Sequence, residues 1–111
     1  MDSLETVNLV KSALLSKKAT QIVVLDVRGI SPVTDYYVIA SGSAAPQLKA
    51  MFGAIQQELK PHGLACYRRS GVPDDGWVVL DYLDVVIHIF LQELRDYYEI
   101  EALWADAPRL A

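Results

Sequence analysis

Asp81, Asp84 and His88 are the residues of this chain whose types and spacing could do chemistry together. They lie in the stretch "GWVVLDYLDVVIHIF", Gly76 to Phe90. Two carboxylates and an imidazole suit an acid–base pair or a metal site, provided that they converge within hydrogen-bond reach or within the ~2 Å bonds of one metal ion. The stretch reads as two strands in a hairpin. A two-residue turn at Tyr82-Leu83 would pair Asp81 with Asp84, Leu80 with Val85, Val79 with Val86, Val78 with Ile87 and Trp77 with His88. Alternation then puts Trp77, Val79, Asp81, Asp84, Val86, His88 and Phe90 on one face. Val78, Leu80, Val85, Ile87 and Ile89 take the other, wholly apolar face, which is the expected core. Four residues of extended chain hold Asp84 on the order of 13 Å from His88. The expectation is therefore neither a metal ligand set nor a catalytic pair.

A second candidate is "IASGSAAPQ", a strand ending in Gly42-Ser43 and opening a helix. Backbone N–H groups at such a start can hold phosphate, as in the nucleotidyltransferase fold. Those enzymes also need paired acidic residues on the next strand for Mg²⁺. The next strand here, "LACYRR", has none. A phosphate-binding P-loop and a Gly-x-Ser-x-Gly nucleophile elbow are also missing from the sequence. The chain reads as a non-enzyme with no cofactor. Nucleotide binding at Gly42-Ser43 is the alternative.

The mixed hairpin face then invites another use. Carboxylates directly opposed on a hairpin cost roughly 0.2–1 kcal/mol unless an outside cation offsets them. Trp77 is of the type favoured as an interface anchor, and Tyr97, Tyr98 and Trp104 follow nearby. Together they read as a protein-binding surface with acidic accents. The plainer reading packs Trp77 under the last helix, gives Tyr98 and Trp104 to that helix's core stripe, leaves His88 a satisfied semi-buried histidine, and makes Asp81 and Asp84 exposed turn carboxylates.

The elements that must position these residues follow from periodicity. Leu4, Val7, Val10, Leu14 and Leu15 recur at helical spacing behind a Ser3 cap, to about Lys17. Gln21–Val27 and Tyr36–Ser41 are β-rich, with the Gly29/Pro32 loop between them. Ser43 caps a second helix bearing Leu48, Met51, Phe52, Ile55 and Leu59, stopped at Gly63. Leu64–Arg69 is a third strand, and the hairpin supplies the fourth and fifth. "QELRDYYEIEALW" closes as a helix, with residues 105–111 as a tail. The order is αββαβββα: a single α+β domain over residues 1–111, with a mixed, mostly five-stranded sheet and flanking helices. The helix between strands two and three implies a parallel crossover.

The totals agree. A chain of 111 residues with 52% hydrophobic and 22% charged residues can bury one core. A net charge of −4 argues against wrapping bare nucleic acid; it fits a basic protein partner, or simply solubility. Cys66 is the lone cysteine, so no internal disulfide is expected. The first residues resemble neither a signal nor a transit peptide, and no apolar run reaches the ~18–20 residues of a membrane span. The cytoplasm is the expected compartment.

"DVRGISPVTDYYVIASGS", "GWVVLDYLDVVIHIF" and "RDYYEIEALWADAP" resemble the iojap-related family of ribosome silencing factors. Thr34-Asp35-Tyr36, Gly76-Trp77, Leu80-Asp81-Tyr82, Asp84-Val85-Val86, His88 and Tyr98 to Trp104 fit the family pattern. The resemblance implies a nucleotidyltransferase-like fold without enzymatic activity. It also implies a translational repressor that binds the large ribosomal subunit through its fourteenth protein and sterically blocks small-subunit joining. DNA and membranes are not expected partners, whereas a homodimer of the free chain is a possible state. The docking residues expected are Trp77, Asp81, Tyr82, Asp84, His88, Tyr97 and Tyr98. Three departures stand out: Leu83 where the family has Gly, Ser70 before Gly71 where it commonly has Glu, and the less polar "SAAPQ" helix start.

Overall fold

The structure, a computed structural model, is described for residues 2–94. The expected closing helix beyond Leu94, with Tyr97, Tyr98 and Trp104, and the tail at 105–111 lie outside the described residues.

Helix α1 spans Ser3–Ser16. Its cap is Asp2 rather than Ser3: the Asp2 carboxylate accepts the Glu5 N–H at 2.8 Å. A carboxylate there also meets the positive end of the helix dipole. Ser3 instead donates its hydroxyl to Asp35 Oδ2 at 3.0 Å. The helix ends with Lys18 at φ 62°, while the Lys18 and Ala19 N–H groups donate back to Leu15 and Leu14 carbonyls. Those paired bonds make a Schellman stop.

Strand β1 is Thr20–Asp26 and β2 is Tyr36–Gly42. Helix α2 covers Ala45–Leu59, with Ala44 at the cap position and no side-chain cap bond. Ser43 caps nothing: its N–H and hydroxyl both donate to Gln47 Oε1, at 2.7 and 3.1 Å. The Gln47 amide nitrogen donates to the Lys17 and Lys18 carbonyls, both at 3.0 Å, so one side chain ties α1's end to α2's start. A 3₁₀ turn, Lys60–His62, runs into Gly63 at φ 75°. Strand β3 is only Arg68–Ser70, half the expected length. Leu64 and Cys66 pack against the core instead of extending the ladder. Strand β4 is Trp77–Asp81 and β5 is Val85–Leu91.

The sheet order is β1-β2-β5-β4-β3. Only β2 and β5 pair in parallel; β1–β2, β4–β5 and β3–β4 are antiparallel. The hairpin of β4 and β5 is thus inserted between β2 and β3. The resulting mixed α+β sheet has α1 and α2 packed on one face through Val7, Val10, Leu14, Leu48, Met51 and Ile55, against Val38, Val78, Leu80, Ile87 and Ile89. Val23, Leu25, Ile39 and Phe90 form a smaller buried cluster on the opposite face.

The hairpin register differs from the expected one by two residues. Asp81 faces Val86, Val79 faces His88, and Trp77 faces Phe90. Asp81 and Asp84 are therefore not opposed, and the like-charge penalty disappears. An even slip leaves every strand side chain on its expected face, because the side-chain period is two. The cause is the turn. The Tyr82 N–H donates to the Val85 carbonyl at 2.9 Å, so Leu83 and Asp84 form the tip. Leu83 takes φ 72°, and the Asp84 N–H donates to the Tyr82 carbonyl two residues back. That is the rare, strained γ-turn form. A branched side chain at positive φ costs on the order of 1 kcal/mol.

Candidate functional site

The expected site residues divide among three environments. Trp77 and His88 belong to an aromatic group on the sheet face opposite α1 and α2. The Trp77 and Phe90 rings stack with centroids 5.0 Å apart, Phe90 lies 6.1 Å from His88, and Tyr37 lies 5.5 Å from His88 on the other side. The Trp77 indole N–H donates to His88 Nδ1 at 3.3 Å, a long bond that needs Nδ1 unprotonated. Burial pushes the His88 imidazole down to about 4. It is neutral at pH 7 and serves as an acceptor in an aromatic floor, the semi-buried histidine of the plainer reading.

Asp81 has a structural task. Its Oδ1 accepts the Leu83 N–H at 2.8 Å, the local bond by which Asp stabilises a turn two residues on. Its charge also helps to raise the Tyr37 hydroxyl, after burial, which is the larger cause. Asp84 is exposed at the tip. Its backbone carbonyl accepts the Asp35 and Tyr36 N–H groups at 3.0 and 3.1 Å, which anchors the tip to the start of β2.

Tyr82 departs from the expected face. It is buried in the helix-covered core, and burial pushes its hydroxyl up to about 12. Its odd-even position next to Asp81 dictates this placement. Among the described residues no group of three His, Cys, Asp or Glu could hold a metal ion, so the Asp81/Asp84/His88 constellation is not a metal centre.

The ends of β1 and β4 and the starts of β2, β3 and β5 meet at one end of the sheet. Large apolar side chains gather there in the open: Val33 at 73% exposure, Tyr67 at 64%, Leu83 at 56% and Ile30 at 48%. Asp35, Asp81 and Asp84 belong to the same strand ends, as do Arg28 and Arg68. Arg28 braces the base of the 27–35 loop through two bonds to Asp26, at 2.9 and 2.7 Å, and lies over the Tyr36 ring. That guanidinium holds the Asp26 carboxyl below its usual value. None of Ile30, Val33, Tyr67 or Leu83 is among the expected docking residues. A signal for two of them exists in "RGISPVTD": Ile30 and Val33 are bulky apolar residues in a Gly/Pro loop, where no strand or helix period accounts for them.

At the far end of β2 the phosphate-site reading loses one of its backbone donors. The Ser43 N–H is held by Gln47. A side chain at Gly42 would meet Leu48 at 2.9 Å and Gln47 at 3.1 Å, so tight packing accounts for this glycine.

The family described as "Ribosomal silencing factor during starvation" matches residues 1–111. The chain belongs to this iojap-related family of ribosome silencing factors. It is 35% identical over 108 residues to the ribosomal silencing factor of Halalkalibacterium halodurans, covering 97% of this chain and 92% of that one. Mouse "Mitochondrial assembly of ribosomal large subunit protein 1" is 33% identical over 101 residues, 88% of this chain and 44% of that protein. A crystal structure of a Chromobacterium violaceum protein superposes with a TM-score of 0.90 at 34% identity, covering 95% of this chain and 88% of that one. Family membership makes the chain a ribosome-associated repressor of translation. Its bacterial relatives are named as silencing factors and not as enzymes.

Proposed function

We propose that the chain docks on the large ribosomal subunit through that subunit's fourteenth protein, in the cytoplasm, and stands where the small subunit would join. The observation that supports this best is the strand-end surface, where Ile30, Val33, Tyr67 and Leu83 lie exposed beside Asp35, Asp81 and Asp84. Exposed apolar side chains beside an outward carboxylate, that of Asp84, fit an apolar protein surface with basic groups at its margin. The same carboxylate repels RNA phosphate, so the fit favours a ribosomal protein over bare RNA and leaves DNA out. A mouse relative named for large-subunit assembly points to the same subunit.

Asp81 shapes the tip of this end and Asp84 presents an outward charge, whereas Trp77 starts β4 opposite Phe90 and His88 lies opposite Val79, so the aromatic floor runs from the middle of the sheet toward its other end. Tyr97 and Tyr98 remain candidate contacts by sequence. Tyr82, buried in the core, is not a contact in this reading. In the free chain, the same exposed apolar end could pair two copies as a homodimer, which docking would dissociate.

Trp77→Ala and Asp81→Lys would damage packing and turn as well as binding. Asp84→Lys is the clean probe, because among the described residues only the Asp84 backbone is engaged. The expected result is unchanged thermal unfolding with affinity for purified large subunits reduced about tenfold, within the range for a charge reversal at an interface. Unchanged affinity would move the docking surface elsewhere.

A further inference from the structure

Leu83 presents a contradiction inside the fold. A bulky branched side chain occupies φ 72°, a region that favours glycine. Strain of this kind persists when surrounding structure enforces it, and it clusters at functional sites. The enforcement is visible. Asp81 Oδ1 holds the Leu83 N–H, the Tyr82 N–H donates to Val85, and the Asp84 carbonyl takes two N–H groups from the start of β2.

The protein's own core gains little from the side chain, which is 56% exposed. Val33 stands two residues from Asp35, whose N–H is bonded to Asp84, and Tyr67 donates its N–H to Asp81. Two exposed apolar side chains therefore belong to segments bonded directly to the tip.

We infer that Leu83 is a specificity knob: a rigid apolar side chain that enters an apolar pocket rimmed by basic groups on a protein partner. The inference rests on the docking reading above and names the chemistry of its contact. An aliphatic tip has no face for stacking on bases and no charge for phosphate. The adjacent Asp84 carboxylate favours a cationic rim. Preorganisation by the turn spares the partner the cost of ordering the contact.

The test is Leu83→Gly, with Leu83→Asn as a second variant, since Asn tolerates positive φ. Both relieve the strain and delete the knob. Binding is measured to purified large subunits and to their isolated fourteenth protein, alongside thermal unfolding. The expected result is a melting temperature equal to or above that of the native chain, with affinity for both probes at least tenfold weaker. Native-like affinity of both variants, with the native chain binding normally, would overturn the knob and leave the docking reading intact. Weaker binding to whole subunits with unchanged binding to the isolated protein would overturn the assignment of a protein pocket. No binding by the native chain to either probe would overturn both readings.

Discussion

Acid should destabilise this protein through His88, and the size of the effect follows from its surroundings. The imidazole lies among Tyr37, Trp77 and Phe90 and accepts from the Trp77 indole. Burial lowers its pKa from 6.5 to about 4. The folded state therefore keeps it neutral through a range in which the unfolded chain takes up a proton. Below pH 6.5 the unfolded state binds more protons, so stability falls as pH falls, until the folded form is also protonated near pH 4. Each pH unit within that window removes close to 1.4 kcal/mol, and the whole interval removes at most about 3.5 kcal/mol. For a domain of this size, that corresponds to a melting temperature lower by roughly 15 °C. The assay is urea unfolding at closely spaced pH values from 7.5 to 4, with the imidazole titration followed by NMR. His88→Gln keeps an acceptor for the indole and removes the titration; its stability should fall less steeply across the window. An NMR midpoint near 6.5, or equal slopes in the two proteins, would refute the account of a neutral, desolvated histidine.

Two further substitutions test the scaffold. Gly71 has φ 78°, and a side chain there would lie 2.2 Å from the Trp77 carbonyl oxygen, so Gly71→Ala should destabilise by about 2 kcal/mol or more in chemical unfolding. Gln47→Ala should cost about 1–2 kcal/mol, read by calorimetry, because it removes bonds to Ser43, Lys17 and Lys18 together. The same variant should still show no heat with millimolar nucleotide and Mg²⁺.

Strand faces were legible in the sequence because alternation survives any even slip. Val78, Leu80, Ile87 and Ile89 are in the helix-covered core as alternation requires. Register was not legible, because it depends on one backbone angle at Leu83 that a leucine does not advertise. Once the tip moves to Leu83-Asp84, Asp81 ceases to oppose Asp84 and becomes the carboxylate that pins the turn. Caps were misplaced for a related reason. Asp2 and Ser3 are both good cap residues, and the choice between them depends on the distant Asp35. Ser43 caps nothing and donates instead to Gln47, whose side chain also had two orphan carbonyls of α1 to satisfy. The exposed Ile30, Val33, Tyr67 and Leu83 become a surface only when the strand ends of a mixed sheet are brought together. That assembly is tertiary; the loop "RGISPVTD" marks Ile30 and Val33 locally, but nothing local joins them to Tyr67 and Leu83.

We propose above that this chain silences by occupying the joining face of the large subunit. The most direct test is co-sedimentation of the purified protein with isolated large and small subunits, followed by a subunit-joining measurement on the same mixture. Pelleting with the large subunit alone, with joined ribosomes decreasing in proportion to bound chain, is the predicted result. Binding to the large subunit without loss of joining, or binding to the small subunit instead, would contradict it.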